Sequence, residues 1–204
     1  LVSYPLGMAV NADLGVKNAR EFVQWVKANP GKASFGTPGS GGQNHFLGVQ
    51  FAKVAGIDLP MTPYKGTPPM ITDLLGGHVP SGISLMDELI KHQKSGKLRV
   101  IGIFSDKRSE LMPDIPTFAE QGFPSVVAAD YIGFYLPAGA PKAVVDSLHA
   151  NLQAAVATAP LKRALEDTGI EPIFSTPEQL GQLVRSELAR WAPIVKASGF
   201  TADS

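Results

Sequence analysis

The apolar residues of the first hundred positions alternate between short runs and stripes at helical spacing. Leu98–Phe104 is an apolar run of strand length, whereas Met70, Ile71 and Leu74 recur at intervals that place them on one side of a helix. Strand and helix follow each other in regular succession, which predicts right-handed crossovers and a mainly parallel sheet with helices on both faces. We therefore expect an α/β fold with Leu98–Phe104 as a central strand.

Local start and stop signals bound these elements. Asn18 followed by Glu21 has the form of a capping box, and Gly56 is placed to end a later helix. The last helix is expected to begin at Pro177 with Thr176 as its cap. The other expected strands are 1–11 with an interruption at Pro5, then 32–35, 59–64, 79–84, 125–136 and 169–174, and further helices begin at Pro141 and Pro160.

The apolar stripes of the C-terminal third predict helices with one buried side. Val144, Leu148 and Leu152 share one side of the first of these helices. Leu180 and Leu188 lie on one side of the last helix in the same way. Such stripes are more often core than partner surface, so we expect these side chains to be buried.

The chain is expected to form two lobes. Residues 12–128 have the strand–helix alternation of a complete α/β lobe, whereas residues 129–204 are mainly helical. Residues 1–11 and the run 125–136 would be strands that pass between the lobes. The second lobe is therefore expected to be discontinuous, made of residues 1–11 and 129–204.

The stretch from Phe35 to Phe46 is the first candidate for a binding site. Four glycines, at positions 36, 39, 41 and 42, separate a predicted strand from a predicted helix. A turn of this kind directs unpaired backbone N–H groups at one point, where the helix dipole adds positive potential. We expect the glycines to adopt positive φ or to let a ligand approach the backbone, and the ligand to carry a carboxylate or a phosphate.

Three known motifs do not fit this stretch. A P-loop needs Lys and then Ser or Thr after its last glycine, where this chain has Gly42 and Gln43. The dinucleotide fingerprint lacks its second glycine step, and a nucleophile elbow around Ser40 would need a glycine in place of Pro38. A hydrolase that uses Ser40 with His45 is kept as an alternative, but no catalytic residue is predicted.

Composition narrows the function classes. The 204 residues include 18 basic and 18 acidic side chains, so the net charge gives no support for nucleic acid as a partner. The absence of cysteine excludes disulfides and thiolate metal sites, and the four histidines lack metal-ligand spacing. No apolar run approaches the roughly 18 residues of a membrane span. We expect neither a metal nor a cofactor.

A series of motifs along the whole chain points to a family. The chain carries, in order, Phe-Gly-Thr-Pro-Gly-Ser-Gly-Gly-Gln-Asn-His (35–45), Pro-Tyr-Lys-Gly-Thr-Pro-Pro (63–69), Thr-Asp-Leu-Leu-Gly-Gly-His-Val (72–79), Ser-Gly-Lys-Leu-Arg-Val (95–100), Pro-Asp-Ile-Pro-Thr-Phe-Ala-Glu-Gln-Gly (113–122), Gly-Phe-Tyr-Leu-Pro-Ala-Gly-Ala-Pro (133–141) and Leu-Ala-Arg-Trp-Ala-Pro-Ile-Val-Lys-Ala-Ser-Gly (188–199). This series resembles the Bug-type extracytoplasmic solute receptors, the periplasmic substrate-binding proteins of tripartite tricarboxylate transporters.

The resemblance implies a clamp of the type II periplasmic-binding-protein class, whose two lobes close on a small carboxylate. The ligand would be a dicarboxylate, a tricarboxylate, an acidic amino acid or an aromatic acid. Lys65 would act as its counter-charge, whereas Asp87 is expected to cap its own helix. Three loops at strand ends would face the ligand. The first loop contributes Thr37, Gly39, Ser40, Gly41, Gly42, Asn44 and His45, the second contributes Tyr64, Lys65, Gly66 and Thr67, and the third contributes Ser84 with the positions up to Asp87.

The resemblance also implies a location and partners. Members of the family begin with a signal peptide and a further half-lobe, neither of which this chain contains, so one lobe is expected to be incomplete. The protein would work in the periplasm and contact membrane transporter subunits transiently. We expect the chain alone to bind its carboxylate poorly and to self-associate. A ligand-sensing regulatory domain of the same fold is the alternative.

Overall fold

Five strands form the larger of two sheets, and four of them point the same way. The computed structural model describes residues 2–109, 112–128, 130–168, 171–172 and 174–202. After β1 (Val2–Tyr4), which belongs to the second sheet, the strands are β2 (Leu6–Asn11), β3 (Phe35–Thr37), β4 (Met61–Pro63), β5 (Ser81–Leu85) and β6 (Leu98–Ile103), in the order β4-β3-β5-β2-β6. β3 is parallel to β4 and β5, whereas β2 is antiparallel to β5 and β6. The predicted mainly parallel α/β fold is confirmed.

Helices cover both faces of this sheet. They are α1 (Ala19–Ala28), α2 (Gln43–Ala55), α3 (Thr67–Leu75) and α4 (Met86–Gln93). Every residue of β2 is buried, and neighbouring side chains of a strand point to opposite faces, so both faces must be covered. In β6, Leu98 and Val100 pack in one cluster with α3 and α4, whereas Ile101 is buried outside that cluster.

The predicted signals for the start of α1 and the end of α2 are confirmed. The Asn18 side chain accepts a hydrogen bond of 2.9 Å from the backbone N–H of Glu21, and the Glu21 carboxylate accepts one of 2.8 Å from the Asn18 amide in return. α2 ends at Gly56, which has a φ of 62° in the left-handed region. These local interactions fix where the helices begin and end, as the sequence pattern indicated.

Two strand predictions were wrong in position. The strand expected at 32–35 is β3 (Phe35–Thr37), because its place is set by parallel pairing of Phe35 with Met61 and with Ser81 rather than by local propensity. β6 is an edge strand and not a central one, because β2 pairs between it and β5. Residues 116–118 cover the free edge of β6: the N–H of Ile103 donates to the carbonyl of Pro116. That cover explains why an edge strand is so apolar.

The chain divides into two compact units. The larger unit comprises Pro5–Ala129 and Ile194–Ser204, and the smaller unit comprises Leu1–Tyr4 and Asp130–Pro193. The smaller unit contains a sheet in the order β7-β1-β8, formed by β1, β7 (Asp130–Ile132) and β8 (Glu171–Pro172). It also contains α5 (Lys142–Val156), α6 (Ala159–Thr168) and α7 (Pro177–Ser198), the last of these as far as Pro193.

The long extended run expected at 125–136 was wrong in its length. Among the described residues of that run, the structure assigns a strand only to β7, three residues long. The strand expected at 169–174 is β8, although residues 169, 170 and 173 lie outside the described part of the chain. The start of α7 is confirmed: Thr176 and Gln179 exchange backbone-to-side-chain hydrogen bonds of 2.8 and 3.2 Å.

The apolar stripes of the smaller unit are half-buried or exposed, and their prediction as core was wrong. No residue of α5 or α7 with a described side chain is buried, and Leu188 is 71% exposed. A stripe becomes core only where a second layer covers it, and the described residues of this unit provide none there. The result is an apolar groove of about 410 Å³, lined by residues 134–137, 139 and 140, by Val145, Leu148, His149, Leu152, Gln153 and Val156 of α5, and by residues 174–177, Leu180 and Gly181.

Gly48 sets how closely α2 packs on the sheet, and its replacement is expected to destabilise the protein. Gly48 is buried in α2, and an ideal Cβ there would overlap the ring of Phe35 of β3. Gly48→Ala is therefore expected to lower the free energy of unfolding by about 1–3 kcal/mol, despite the better helix propensity of alanine. Chemical denaturation measures the change.

A second helical glycine provides the matched control for Gly48. At Gly181 of α7 the nearest atom to an ideal Cβ is the Arg185 guanidinium, 3.5 Å away at the end of a flexible side chain. Gly181→Ala is expected to stabilise the protein by about 0.5–1 kcal/mol through helix propensity. Equal effects of the two substitutions would contradict the close packing at Gly48.

Candidate functional site

Three helices begin at the same edge of the larger sheet. β3, β4 and β5 run parallel, so their C-terminal ends meet there, and α2, α3 and α4 follow them. Open α/β sheets bind ligands at this edge because helix N-termini present unpaired N–H groups and positive potential. The three loops predicted to face a ligand are therefore the loops that the sheet brings to one edge.

The first loop is held in a defined shape by its own side chains. The Thr37 hydroxyl, which is fully buried, donates a hydrogen bond of 2.6 Å to the carbonyl of Gly39. Gly41 has a φ of 77°, and its N–H donates to Nδ1 of His45 at 3.2 Å. His45 is 8% exposed and stacks on Phe46. The N–H of Gly41 is thus occupied within the loop.

The four glycines of this loop have different roles. Positive φ was one of the two reasons expected for glycine in this loop, and among the four only Gly41 has it. An ideal Cβ at Gly36 would lie 2.8 Å from Met70, so Gly36 is needed for packing. Around Gly39 and Gly42 an added Cβ meets no described atom within 4 Å, and neither residue has positive φ. Positive φ is therefore not the reason for glycine at Gly39 and Gly42, and close approach of a ligand to the backbone stays a prediction there.

The second loop runs alongside the first. The N–H groups of Tyr64 and Gly66 donate hydrogen bonds of 2.9 Å to the carbonyls of Thr37 and Pro38. The Tyr64 hydroxyl donates to Asp73 at 2.9 Å. Burial, together with this hydrogen bond and the charge of Asp73, raises the pKa of Tyr64 to about 12. Tyr64 is neutral at ordinary pH, and its hydroxyl proton is already used inside the protein.

Side-chain hydrogen bonds tie the third loop to the other two. Thr67 and the buried Ser84 share a hydrogen bond of 3.3 Å between their hydroxyls. The Asn44 amide donates to the carbonyl of Ile83 at 3.0 Å, so it braces the start of α2 against β5. The prediction that Asp87 caps α4 was wrong: Leu85 is the N-cap residue, and Asp87 lies within the first turn.

The charges around these helix starts favour an anion near α2 and α3. Asp87 and Glu88 occupy the first turn of α4 and offset its dipole, but the sequence places no acidic residue in the first turn of α2 or α3. Lys65 is exposed on the second loop, and no described acidic side chain forms an ion pair with it. Within the described residues, the N–H groups of Gly42, Gln43, Asn44 and His45 have no protein acceptor.

Acidification is expected to destabilise the first loop through His45. Burial lowers the pKa of His45 below its ordinary value of 6.5. Because the folded state takes up this proton less readily than the unfolded state, the stabilisation is fully present above about pH 6.5 and is lost as the pH falls through the lowered pKa. The neutral imidazole is also the form that can accept the Gly41 N–H.

The contribution of His45 can be isolated by replacement with glutamine. His45→Gln keeps a hydrogen-bond acceptor but does not titrate, so its unfolding temperature is expected to fall less between about pH 7.5 and about pH 5. Thermal unfolding of both proteins across this range measures the difference. Identical pH dependence would show that the protonation of His45 is not coupled to folding.

Two residues near the first loop were not singled out from the sequence. The Phe200 ring packs edge-on against His45 and Phe46, with ring centroids 5.6 and 5.7 Å away. The side-chain oxygen of Gln43 is buried without a hydrogen-bond partner. Nothing local in the sequence predicts where Phe200 packs, whereas the place of Gln43 at the start of α2 was available as a signal.

The described ranges contain neither a metal-binding cluster nor a membrane-spanning helix. There, no group of three or more His, Asp or Glu side chains is arranged to hold a metal ion. None of the helices described is both long enough and apolar enough to cross a bilayer.

The chain is similar to several known proteins over nearly its whole length. It is 32% identical over 195 residues to Protein BugT of Bordetella pertussis, covering 96% of this chain and 60% of BugT. The structure of periplasmic binding protein BugD matches with 31% identity and a TM-score of 0.82, covering 97% of this chain and 67% of BugD. R. palustris Rpa4515, solved with adipate, matches with 26% identity and a TM-score of 0.86, covering 98% and 67%.

These matches confirm the predicted periplasmic-binding-protein fold and the Bug resemblance. The chain spans about 60% of the length of BugT, and 57% of a second relative from Pseudomonas sp. strain P51. The model of the tripartite tricarboxylate transporter family receptors matches residues 1–200. The chain therefore belongs to the family of tripartite tricarboxylate transporter receptors.

Proposed function

We propose that this chain is the ligand-binding part of a periplasmic receptor that captures a small carboxylate for a tripartite tricarboxylate-type transporter. The observation that carries the proposal is the start of α2, where four successive backbone N–H groups, those of residues 42–45, have no protein acceptor among the described residues. A carboxylate placed there accepts these N–H groups and gains from the helix dipole. Lys65 on the neighbouring loop supplies an exposed positive charge.

Family and geometry together favour a carboxylate over a phosphate. Rpa4515, a relative of the same fold, is solved with adipate. The present loop lacks the lysine and hydroxyl that follow the last glycine of a P-loop, so it has fewer charged donors for a phosphate. A dicarboxylate, a tricarboxylate, an acidic amino acid and an aromatic acid all carry the group that the loop recognises. The ligand class is thus a small organic acid.

The geometry also argues against the hydrolase alternative. Ser40 is exposed, and Nδ1 of His45 accepts the N–H of Gly41 while the imidazole packs against Phe46 and Phe200. A general base must reach the hydroxyl that it activates, and within the described residues His45 forms no hydrogen bond with Ser40. We infer that the protein binds its ligand without chemical turnover, in keeping with a family and a fold of solute-binding receptors.

A panel of organic acids tests the proposal. The chain is titrated with adipate, citrate, glutamate and benzoate, with inorganic phosphate as the competing anion, and binding is followed by two-dimensional NMR. We expect shifts of the amide signals of residues 40–45 and 65–67 with at least one carboxylate, and loss of affinity in Lys65→Gln. Saturable shifts with phosphate alone would overturn the assignment to carboxylates, and shifts confined to other residues would overturn the site.

We also propose that the 204-residue chain self-associates through its smaller unit. The groove described above exposes Phe134, Tyr135 and Phe174 to 64, 63 and 59%. Exposed apolar surface of this extent favours burial against another copy when no other segment covers it. The chain spans 57–60% of the length of three relatives that it matches.

A further inference from the structure

The end of the chain packs on the first loop through Phe200. The ring tip of Phe200 faces Gly41, and an ideal Cβ on Gly41 would lie 2.5 Å from Cζ and 2.8 Å from Cε1 of the ring. The same ring makes edge-on contacts with His45 and with Phe46, at interplanar angles of 83° and 79°. Phe200 thus contacts both the residue of the loop with left-handed backbone and the imidazole that accepts its N–H.

A specific turn at the end of α7 delivers Phe200 to this place. Gly199 has a φ of 70°, and its N–H donates to the carbonyl of Lys196 at 3.4 Å. The Ser198 hydroxyl donates to the carbonyl of Val195 at 2.7 Å and accepts the N–H of Phe200 at 3.2 Å. These bonds fix the direction in which the chain leaves α7. Phe200 is therefore placed by an ordered helix end within the larger unit.

Phe200 is connected through His45 and Gly41 to the start of α2, where the N–H groups without a protein acceptor lie. Phe200 and Phe46 enclose the His45 imidazole, whose position determines whether Nδ1 can accept the Gly41 N–H. That hydrogen bond holds Gly41 in its left-handed conformation, and Gly41 directly precedes the N-cap of α2. A loop held in its binding shape before the ligand arrives loses less conformational entropy on binding.

We propose that Phe200 is a positioning residue for carboxylate binding, a latch that holds the first loop in its ligand-ready shape without touching the ligand. The proposal rests on the proposed function, since it assigns Phe200 a role in that same site. It predicts that removing the ring weakens binding although every N–H donor remains. It also predicts that the shape of the ring tip matters, because the tip lies against the backbone of Gly41.

Three substitutions at Phe200 and one matched control test the latch in the full 204-residue chain, with adipate as the probe. Phe200→Ala is expected to weaken adipate binding about tenfold, the equivalent of one to two aromatic contacts. Phe200→Leu is expected to recover part of this affinity. Phe200→Tyr is expected to bind as poorly as Phe200→Ala, because its hydroxyl extends from Cζ towards Gly41.

Phe123→Ala is the control. Phe123 is another half-buried phenylalanine of the larger unit, and its edge-on partner is Phe51, which lies in α2 but away from the first loop. Phe123→Ala is expected to lower the unfolding temperature while leaving the adipate affinity unchanged. A purely structural role of Phe200 predicts that the two alanine variants behave alike and that tyrosine is tolerated, and either result would overturn the latch.

A ligand-free measurement separates this proposal from the proposed function. Amide hydrogen exchange at Gly41 reports its bond to His45, and this exchange is expected to accelerate at least about tenfold in Phe200→Ala but not in Phe123→Ala. If adipate and the other acids fail to bind the unmodified chain, the proposed function falls, and the exchange result still decides whether Phe200 holds the loop. Unchanged exchange at Gly41 in Phe200→Ala and Phe200→Leu would overturn the latch.

Discussion

Gly41→Val is expected to abolish carboxylate binding while the chain remains folded. Gly41 has a φ of 77°, which a β-branched residue adopts only with strain of about 1–3 kcal/mol, and a side chain there would also meet the Phe200 ring. The loop can escape this strain only by leaving its present shape. The N–H groups at the start of α2 then no longer converge, and an affinity loss of about a hundredfold or more follows.

The control for Gly41 lies at the other end of the same helix. Gly56 also has a left-handed backbone, with a φ of 62°, and no described atom lies within 4 Å of an ideal Cβ on it. Gly56→Val is expected to cost a similar amount of stability but to leave adipate binding unchanged. Calorimetry or NMR titration, with thermal unfolding of each variant, gives both quantities. Normal binding by Gly41→Val would show that the first loop is a turn and not a binding site.

The second large effect is expected in the oligomeric state of the chain. Leu188 of α7 is 71% exposed on an apolar stripe, and the groove beside α5 and α7 is also apolar. Each large apolar side chain that is buried between two copies contributes about 1.5–3 kcal/mol. The 204-residue chain is therefore expected to form dimers or larger species at micromolar concentrations, as measured by sedimentation velocity and light scattering.

A single charged substitution should decide whether self-association occurs through the smaller unit. Leu188→Asp is expected to weaken self-association by about tenfold or more, because a carboxylate resists burial in an apolar interface. Val54 is 44% exposed on α2 in the larger unit, so Val54→Asp makes the same change of charge away from the groove. A chain that is monomeric at all concentrations, or equal effects of the two substitutions, would contradict the proposed interface.

The sequence predicted the elements whose causes are local. Asn18 and Glu21 predicted the start of α1, and Thr176 with Pro177 predicted the start of α7, because capping involves residues only a few positions apart. The strand–helix alternation predicted the fold class for the same reason, since periodicity reports which side of an element is buried. The motif series predicted the family, which the family match then confirmed.

The tertiary structure decided what depends on distant parts of the chain. β6 has the composition of a central strand, but of the described strands it pairs only with β2, and residues 116–118 cover its other edge at Ile103. The stripes of α5 and α7 have the periodicity of buried helices, yet none of their described side chains is buried. An amphipathic pattern states that a side chain can be buried, whereas burial itself depends on the presence of a covering layer.

The candidate site likewise has features that local sequence predicts and features that depend on tertiary contacts. The sequence by itself determined that a glycine-rich loop precedes α2, and its motif series resembled a family whose members are implied to bind carboxylates. Only the tertiary structure decided that the N–H of Gly41 is used by His45, that the Tyr64 hydroxyl is used by Asp73, and that Phe200 lies on the loop. Local sequence determines which donors exist, but which of them are free for a ligand depends on contacts between residues far apart in the chain.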